Sequence, residues 1–486
     1  MAILGIDLGT SSVKVIILDT QGRTLSVSKA NYTVMAPQPG WSESDPNEWW
    51  SAMVSAVQSA MAQVPRAEIT AIGLSGQMHG VVLTDEEGLP VRTAMLWADT
   101  RAQAELEQYR MLPASLLKRL ANPLVPGMAG PMLCWLVHHE AFSYQQAHWA
   151  LQPKDWLRFR LTDEVATDPS DASATLLYDL LADSWADDVI AALSLRRSLL
   201  PPIIPSGTIA GRLSTRAAKA LGLPVGLPVA TGAADTAAAA LGTGLLVPGP
   251  IQLTLGTGAQ FMQLCSEPRA DQTVRTHLYR AADGANWYAM AAVQNAGLAL
   301  DWVRQVLNAT WDEIYASAGT VSPGADGLLF LPSLTRERPH HPGPSSRGAF
   351  LGIRIDHRRE HLLHAALEGV AFGIRVAFEA LPTASRVTTL RLAGGGGEHP
   401  AWRQMLADIL NRELLTVDTL AASARGAALL GGIASGIWAD ALGTASIAPR
   451  TSLDATPEAE RVAVYDQVYA RYLESINRHS LPGAGE

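Results

Sequence analysis

The amino-acid sequence predicts an α/β fold divided into two lobes. Three observations lead there. Short apolar runs alternate with amphipathic helical patterns along the chain, which argues for mainly parallel central strands covered by helices. A strand, a Gly-Thr turn and a second strand occur twice, once near the start of each half. The length of 486 residues exceeds what one compact core organises and suggests two domains of roughly 200–250 residues.

The elements justify this in order. Ile3–Leu8 is an apolar run carrying an acid, Asp7, near its end; a turn of small residues, Gly9-Thr10-Ser11-Ser12, follows it. Val13–Leu18 is a second apolar run and Asp19–Arg23 a second turn, so the segment reads as a β-hairpin. The pattern returns as Ile251–Leu255, Gly256-Thr257-Gly258 and Gln260–Leu264, which suggests a structural duplication. It places the lobe boundary near residue 245, beside the Pro-Gly-Pro of Val247–Pro250, giving lobes 1–244 and 245–486. Helices are expected over Pro46–Val64 (Trp49, Met53, Val57 and Met61 at helical spacing) and Asn295–Leu307 (Leu298, Trp302, Val303). Leu362–Ala377, Ala401–Leu410 and about Val462–Ile476 read the same way. Strands are expected at Ala71–Leu74, Val81–Leu83, Pro228–Ala230, Gly327–Leu331 and Leu390–Ala393.

Composition excludes several functions. With 48% hydrophobic and 17% charged residues, the chain has enough apolar material for two buried sheets. A net charge of −9 argues against general nucleic-acid binding. Ala233–Leu246 is too short and too weakly apolar to span a bilayer, and Met1–Lys14 lacks a basic leader, so no membrane partner or signal peptide is expected. Two cysteines, Cys134 and Cys265, make no disulfide framework. Buried reduced thiols are the plain reading, and a cytoplasmic location follows from it.

Four segments carry candidate chemistry. Asp7 at a strand end beside a turn of amide donors suits a metal-bound triphosphate, although an Asp that caps a hairpin turn looks the same. The second turn, Gly256-Thr257-Gly258, could face it across a cleft and grip the same polyphosphate. Asp235 lies among tiny residues after an apolar strand, where a helix starts. There it is a candidate acceptor for the proton of an attacking hydroxyl, or a simple helix N-cap. Gly394-Gly395-Gly396-Gly397 stands between a strand and a helix, an arrangement common to nucleotide pockets. It is neither a GxGxxG fingerprint nor a Walker A loop. Gln77-Met78-His79-Gly80 and Trp97-Ala98-Asp99-Thr100-Arg101 offer amide, imidazole, carboxylate and aromatic groups suited to a polyol, though each alone also fits an ordinary core role.

Together these segments resemble the FGGY carbohydrate kinase family over nearly the whole chain. The motifs stand in the family order: GIDLGTSSVK (5–14), SGQMHG (75–80), LWADTR (96–101), PKDWLRFRLT (153–162), DPSDAS (168–173), GAADTAA (232–238), LTLGTG (253–258), FLPSLTRERPH (330–340), GAFLGIRIDHRREHLLHAALEG (348–369) and GGGGEHPAWRQMLADIL (394–410). The resemblance implies two actin-like, hexokinase-like (ribonuclease H-like) lobes with ATP and sugar in the cleft between them. It implies that Asp7, Gly9, Thr10, Ser11, Gly256, Thr257, Gly395, Gly396 and Gln404 meet ATP, and that Asp7 and Asp235 hold Mg²⁺. Asp235 would be the catalytic base, and Gln77, Met78, His79, Trp97, Asp99 and Asp235 would line the sugar site. The Met-His-Gly turn looks like the version that phosphorylates D-xylulose, whereas the Trp-Ala-Asp segment is close to that of gluconate kinases. Met132, Ala233, Ala234, Thr236 and the 335–339 segment depart from the usual pattern. A homodimer is a further expectation from the family. The rival readings are a kinase for another sugar or polyol, a non-catalytic sugar or nucleotide sensor, and an actin-like ATPase.

Overall fold

The computed structural model describes residues 1–269, 275–335 and 347–479. Residues 336–340 of the FLPSLTRERPH segment lie outside the described residues. Two seven-stranded sheets form the lobes. The first runs Ile209–Arg212, Pro228–Ala230, Ile69–Gly76, Ala2–Leu8, Ser12–Asp19, Thr24–Asn31, with the short strand Ala233–Ala234 also paired to Ile69–Gly76. The second runs His277–Arg280, Trp287–Val293, Ala259–Cys265, Ile251–Leu255, Thr389–Ala393, Glu413–Val417, Thr451–Ala455.

The sheets repeat one plan. In each, the hairpin strand that leads into the Gly-Thr turn pairs antiparallel with its successor and parallel with a strand from much later in the chain. The expected duplication is therefore carried through whole sheets. The expectation of mainly parallel strands needs correction, because both sheets are mixed. The hairpin connections are too short for the crossover that parallel neighbours need, so Ala2–Leu8, Ser12–Asp19 and Thr24–Asn31 form an antiparallel meander.

Burial on both faces explains the strand sequences. Along Ala2–Leu8, Ile3 packs in one core cluster with Ala424 and Ala428, while Leu4 and Ile6 pack in another with Trp49, Met53 and Val57. The helix Pro46–Gln63 that supplies these last three starts where Asp45 accepts from Asn47 N at 2.9 Å and Pro46 occupies the first turn. In the second lobe the helix Arg359–Glu379 is long and apolar enough to cross a membrane, but 78% of that stretch is buried in the protein core.

One expected helix is used differently. Gly297–Val306 buries Ala299, Leu300 and Val303, while Leu298 and Trp302 are 38% and 42% exposed. Leu298 lines a cavity instead of filling the core.

The helix Ala422–Ala434 comes late in the chain yet packs on the first sheet and on the helix Asp235–Gly242. Glycines let the backbones touch. A Cβ at Gly73 would lie 1.8 Å from Ala427 O, and one at Gly426 would lie 1.8 Å from Ala238 O. Gly73→Ala must push this helix off the sheet. Chemical denaturation is expected to record a loss of about 1–3 kcal/mol, and an unchanged midpoint would contradict the packing.

Candidate active site

The site is built at the carboxyl ends of strands in the first sheet. Asp7 and Ala233 both lie opposite Ser75, on either side of the strand Ile69–Gly76. This brings the segment leading into Asp235 level with Asp7. Asp235 opens the helix Asp235–Gly242, and its Oδ1 accepts from Thr236 N at 2.6 Å and Thr236 Oγ1 at 3.1 Å. Ser75 Oγ donates to Asp7 Oδ1 at 3.0 Å. Burial raises the Asp7 carboxyl above its ordinary range, against the opposing pull of Ser75 and Lys14. Asp235 keeps part of its surface open. Low-polarity surroundings first, and the negative charge of Asp7 second, push it up to about 7.

The first Gly-Thr turn is tied to the candidate sugar wall. Gly9 N donates to Ser12 O at 3.0 Å and the Tyr32 hydroxyl donates to Gly9 O. Trp97 Nε1 donates to Thr10 Oγ1 at 2.9 Å, while Ser11 stands exposed at the tip. Gln77 Nε2 reaches Gly9 O and Tyr32 Oη, each at 3.4 Å, and Gln77 Oε1 is buried with no hydrogen-bond partner among the described residues. Met78 takes a weak bond from the Tyr288 hydroxyl at 3.9 Å, so the second lobe's sheet closes over this turn. His79 adopts a left-handed backbone, φ 73°, which holds strain of order 1–3 kcal/mol at a turn that must be shaped. Its Nδ1 lies 2.7 Å from Ala174 O. A carbonyl only accepts, so Nδ1 carries the proton, and in the neutral ring Nε2 is an acceptor suited to a hydroxyl.

The second Gly-Thr turn and the glycine loop meet at one cavity. Gly256, Thr257, Gly395 and Gly396 line one cavity of about 700 Å³. Gly394 has φ 89°, and a Cβ there would lie 2.2 Å from Leu255 O, so this bend accepts only glycine. Trp311 and Tyr315, which no quoted motif includes, and His399, which one includes without a role, complete the cavity. Trp311, Tyr315 and His399 form a ladder with ring centroids 5.9 and 4.7 Å apart and planes within 21° and 16°. Such faces suit a flat aromatic base. The aromatic pair at i and i+4 in the helix Trp311–Thr320 was the signal that could have found them.

Two of the expected contact residues have protein partners. Asp99 is 1% exposed and its oxygens are committed internally: Oδ1 accepts from Arg101 N and Nε, and Oδ2 from Ser42 N and Arg101 Nη2. Arg101 is itself held over the Trp41 ring at 3.4 Å, so Asp99 braces the loop that carries Trp97. Gln404 donates to Asp408 Oδ1 at 2.9 Å and Thr456 O at 2.8 Å.

Residues 2–242 match the N-terminal domain, and residues 251–435 the C-terminal domain, of the FGGY family of carbohydrate kinases. The chain belongs to this family. This FGGY kinase is 30% identical to the xylulose kinase of Bacillus subtilis, with 98% of this chain and 97% of that one covered. It is 28% identical to the gluconokinase of Bacillus licheniformis, over 89% and 87% of the two chains. Among solved structures it superposes on the xyloylose kinase of Brucella ovis with a TM-score of 0.90 at 33% identity, over 98% of each chain. The protein is an ATP-dependent sugar kinase, with the two-lobed mixed α/β architecture of its relatives.

The FGGY kinase also contains a buried charge cluster below Asp235. Lys154, Asp155, Arg158, Asp168 and Asp171 are all 0% exposed. Lys154 Nζ lies 2.5 Å from Asp155, 3.1 Å from Asp168 and 3.3 Å from Asp171. The sequence reading recorded these residues only as motif segments.

Proposed function

We propose that this kinase phosphorylates a ketopentose, with D-xylulose as substrate and D-xylulose 5-phosphate as product, in the cytoplasm. The observation that supports the reading is the turn Gln77-Met78-His79, whose strand Ile69–Gly76 ends level with the segment leading into Asp235, while the cavity lined by Gly256 and Thr257 would take the nucleotide. The names of the B. subtilis and B. ovis relatives support it.

In the mechanism, the terminal sugar hydroxyl attacks the γ-phosphorus of ATP. The new O–P bond forms as the bond to the β,γ-bridging oxygen breaks and ADP leaves. Asp235 accepts the hydroxyl proton, and its raised proton affinity suits that task near neutral pH. In the turns at Gly9–Ser11 and Gly256–Thr257, Gly9 N and Gly256 N are committed to Ser12 O and Gly258 O, so the backbone N–H groups of Thr10, Ser11 and Thr257 would meet the phosphates. Two carboxylates that repel one another at the cleft fit a cation. Asp7 and Asp235 would hold Mg²⁺, and the ion supplies neutralisation of phosphate charge when bound. Among the described residues no group of three or more His, Cys, Asp or Glu forms a metal cage. A Mg²⁺ here would therefore draw most of its ligands from phosphate and water.

A second reading, gluconate, has its own support in the B. licheniformis relative and the Trp97-Ala98-Asp99 segment. ADP release measured with Mg²⁺-ATP across D-xylulose, L-xylulose, D-ribulose, L-ribulose, D-gluconate, glycerol and pentitols decides. We expect kcat/KM for D-xylulose to exceed the others by about 10-fold or more. A preference for gluconate would keep the mechanism and overturn the substrate.

A further inference from the structure

The chain from Thr231 to Ala234, which delivers Asp235, is held by the buried cluster through several bonds. Thr231 O accepts from Arg158 Nη1 at 3.0 Å and from Lys154 Nζ at 3.4 Å. Gly232 N donates to Ser206 O at 3.1 Å. Ala234 N, the peptide immediately before Asp235, donates to Ser170 Oγ at 2.9 Å. Ser170 Oγ in turn donates to Asp168 Oδ2 at 2.5 Å. That same oxygen also accepts from Ser170 N at 2.9 Å and from Ser206 Oγ at 2.8 Å. The other carboxylate oxygen of Asp168 faces Lys154.

We propose that Ser170, fixed by Asp168 and Lys154, is a positioning residue for Asp235. The inference rests on the reading of Asp235 as the proton acceptor. A hydroxyl has one proton to give and lone pairs to accept with. Here the proton goes to a carboxylate anchored by a buried ammonium, so the lone pair facing Ala234 N is fixed in direction. The Ala234 peptide cannot rotate without leaving a buried N–H unpaired. Its orientation sets where the Asp235 side chain emerges. Ser206 is the internal comparison, because its hydroxyl binds the same carboxylate but does not touch Ala234.

The test measures kcat, both KM values and thermal melting for Ser170→Ala, Ser170→Cys, Ser206→Ala and Asp235→Asn in the full chain. Because misplacement by about 1 Å costs on the order of 100-fold, Ser170→Ala should lose about 10- to 100-fold in kcat while both KM values stay within about threefold. Ser206→Ala should keep kcat within about threefold. Ser170→Cys retains the volume but weakens the bond; it carries the same expectation of falling kcat if Ser170→Ala does not fold. Full kcat in a folded Ser170 variant overturns the proposal, as does an equal loss in Ser206→Ala. An inactive Asp235→Asn beside a fully active Ser170→Ala would remove the positioning role alone. An active Asp235→Asn would remove the proton-acceptor reading and the proposal with it.

Discussion

Asp235→Asn is expected to lower phosphoryl transfer by about 10³-fold or more while leaving sugar and nucleotide binding in place. The substitution is nearly isosteric. An amide oxygen can still accept from Thr236 N, so the start of the helix Asp235–Gly242 is kept. What disappears is the capacity to take a proton from the attacking hydroxyl. The charge that disappears is one that burial and Asp7 already oppose, so melting should not fall. Coupled ADP release with calorimetric titration of the sugar separates the effects. Ordinary turnover in the variant would show that another group accepts the proton, and loss of sugar affinity would show that Asp235 serves mainly in binding.

The largest stability effect is expected at Lys154→Met. Lys154 is fully buried and its charge is compensated by Asp155, Asp168 and Asp171. These neighbours hold its ammonium group above its ordinary range despite desolvation, which acts in the opposite direction. Removing the ammonium leaves Asp155 with Arg158, Asp168 with the Ser170 and Ser206 donors, and Asp171 with no ion-pair partner among the described residues. Breaking a buried ion pair from one side costs about 3–5 kcal/mol, since the remaining charges have lost both water and partner. For a lobe of this size that corresponds to a fall in Tm on the order of 10 °C. Urea denaturation and thermal melting check it. A fall of only a degree or two would mean that the cluster rearranges, for instance by taking up protons at Asp171, whose carboxyl burial already pushes well above its usual range.

What could be read from the sequence depended on how local its cause was. The paired Gly-Thr hairpins are local: apolar strands with tight turns of small residues define them, and the structure has them at Ala2–Asp19 and Ile251–Cys265. Pro228–Ala230 and the helix Pro400–Leu410 were also legible, because short apolar runs and a Pro at the first turn fix them. The pairing of Asp99 with Arg101 was not legible, because Arg101 is gripped by Trp41, which lies far away in sequence. The bond from Gln404 was not legible because Thr456 is equally remote. Leu298 has the spacing of a core residue, and periodicity does not distinguish a core from an apolar cavity wall. The charge cluster had a signal that went unused. In Pro153–Thr162 the charges Lys154, Asp155 and Arg158 are not segregated from Trp156, Leu157, Phe159 and Leu161, so the helix has no polar face to offer to water. A short helix of this kind must bury its ions with partners from elsewhere. Cys134 followed the plain reading, buried with its thiol pushed up to about 12, far from a reactive thiolate.

The close seating of Ala422–Ala434 against Gly5 and Gly73 bears on how the protein emerges from the ribosome. The first sheet is fully specified once residue 234 has been made, but one of its faces is completed by a helix synthesised nearly two hundred residues later. Until then Ile3, Ile16 and Ala71 have no cover from Ala424 and Ala428. At 5–20 residues per second that interval lasts on the order of ten seconds or more, during which the nascent N-terminal half presents an apolar face. The folding unit of this kinase is therefore nearly the whole chain, even though each lobe has its own sheet.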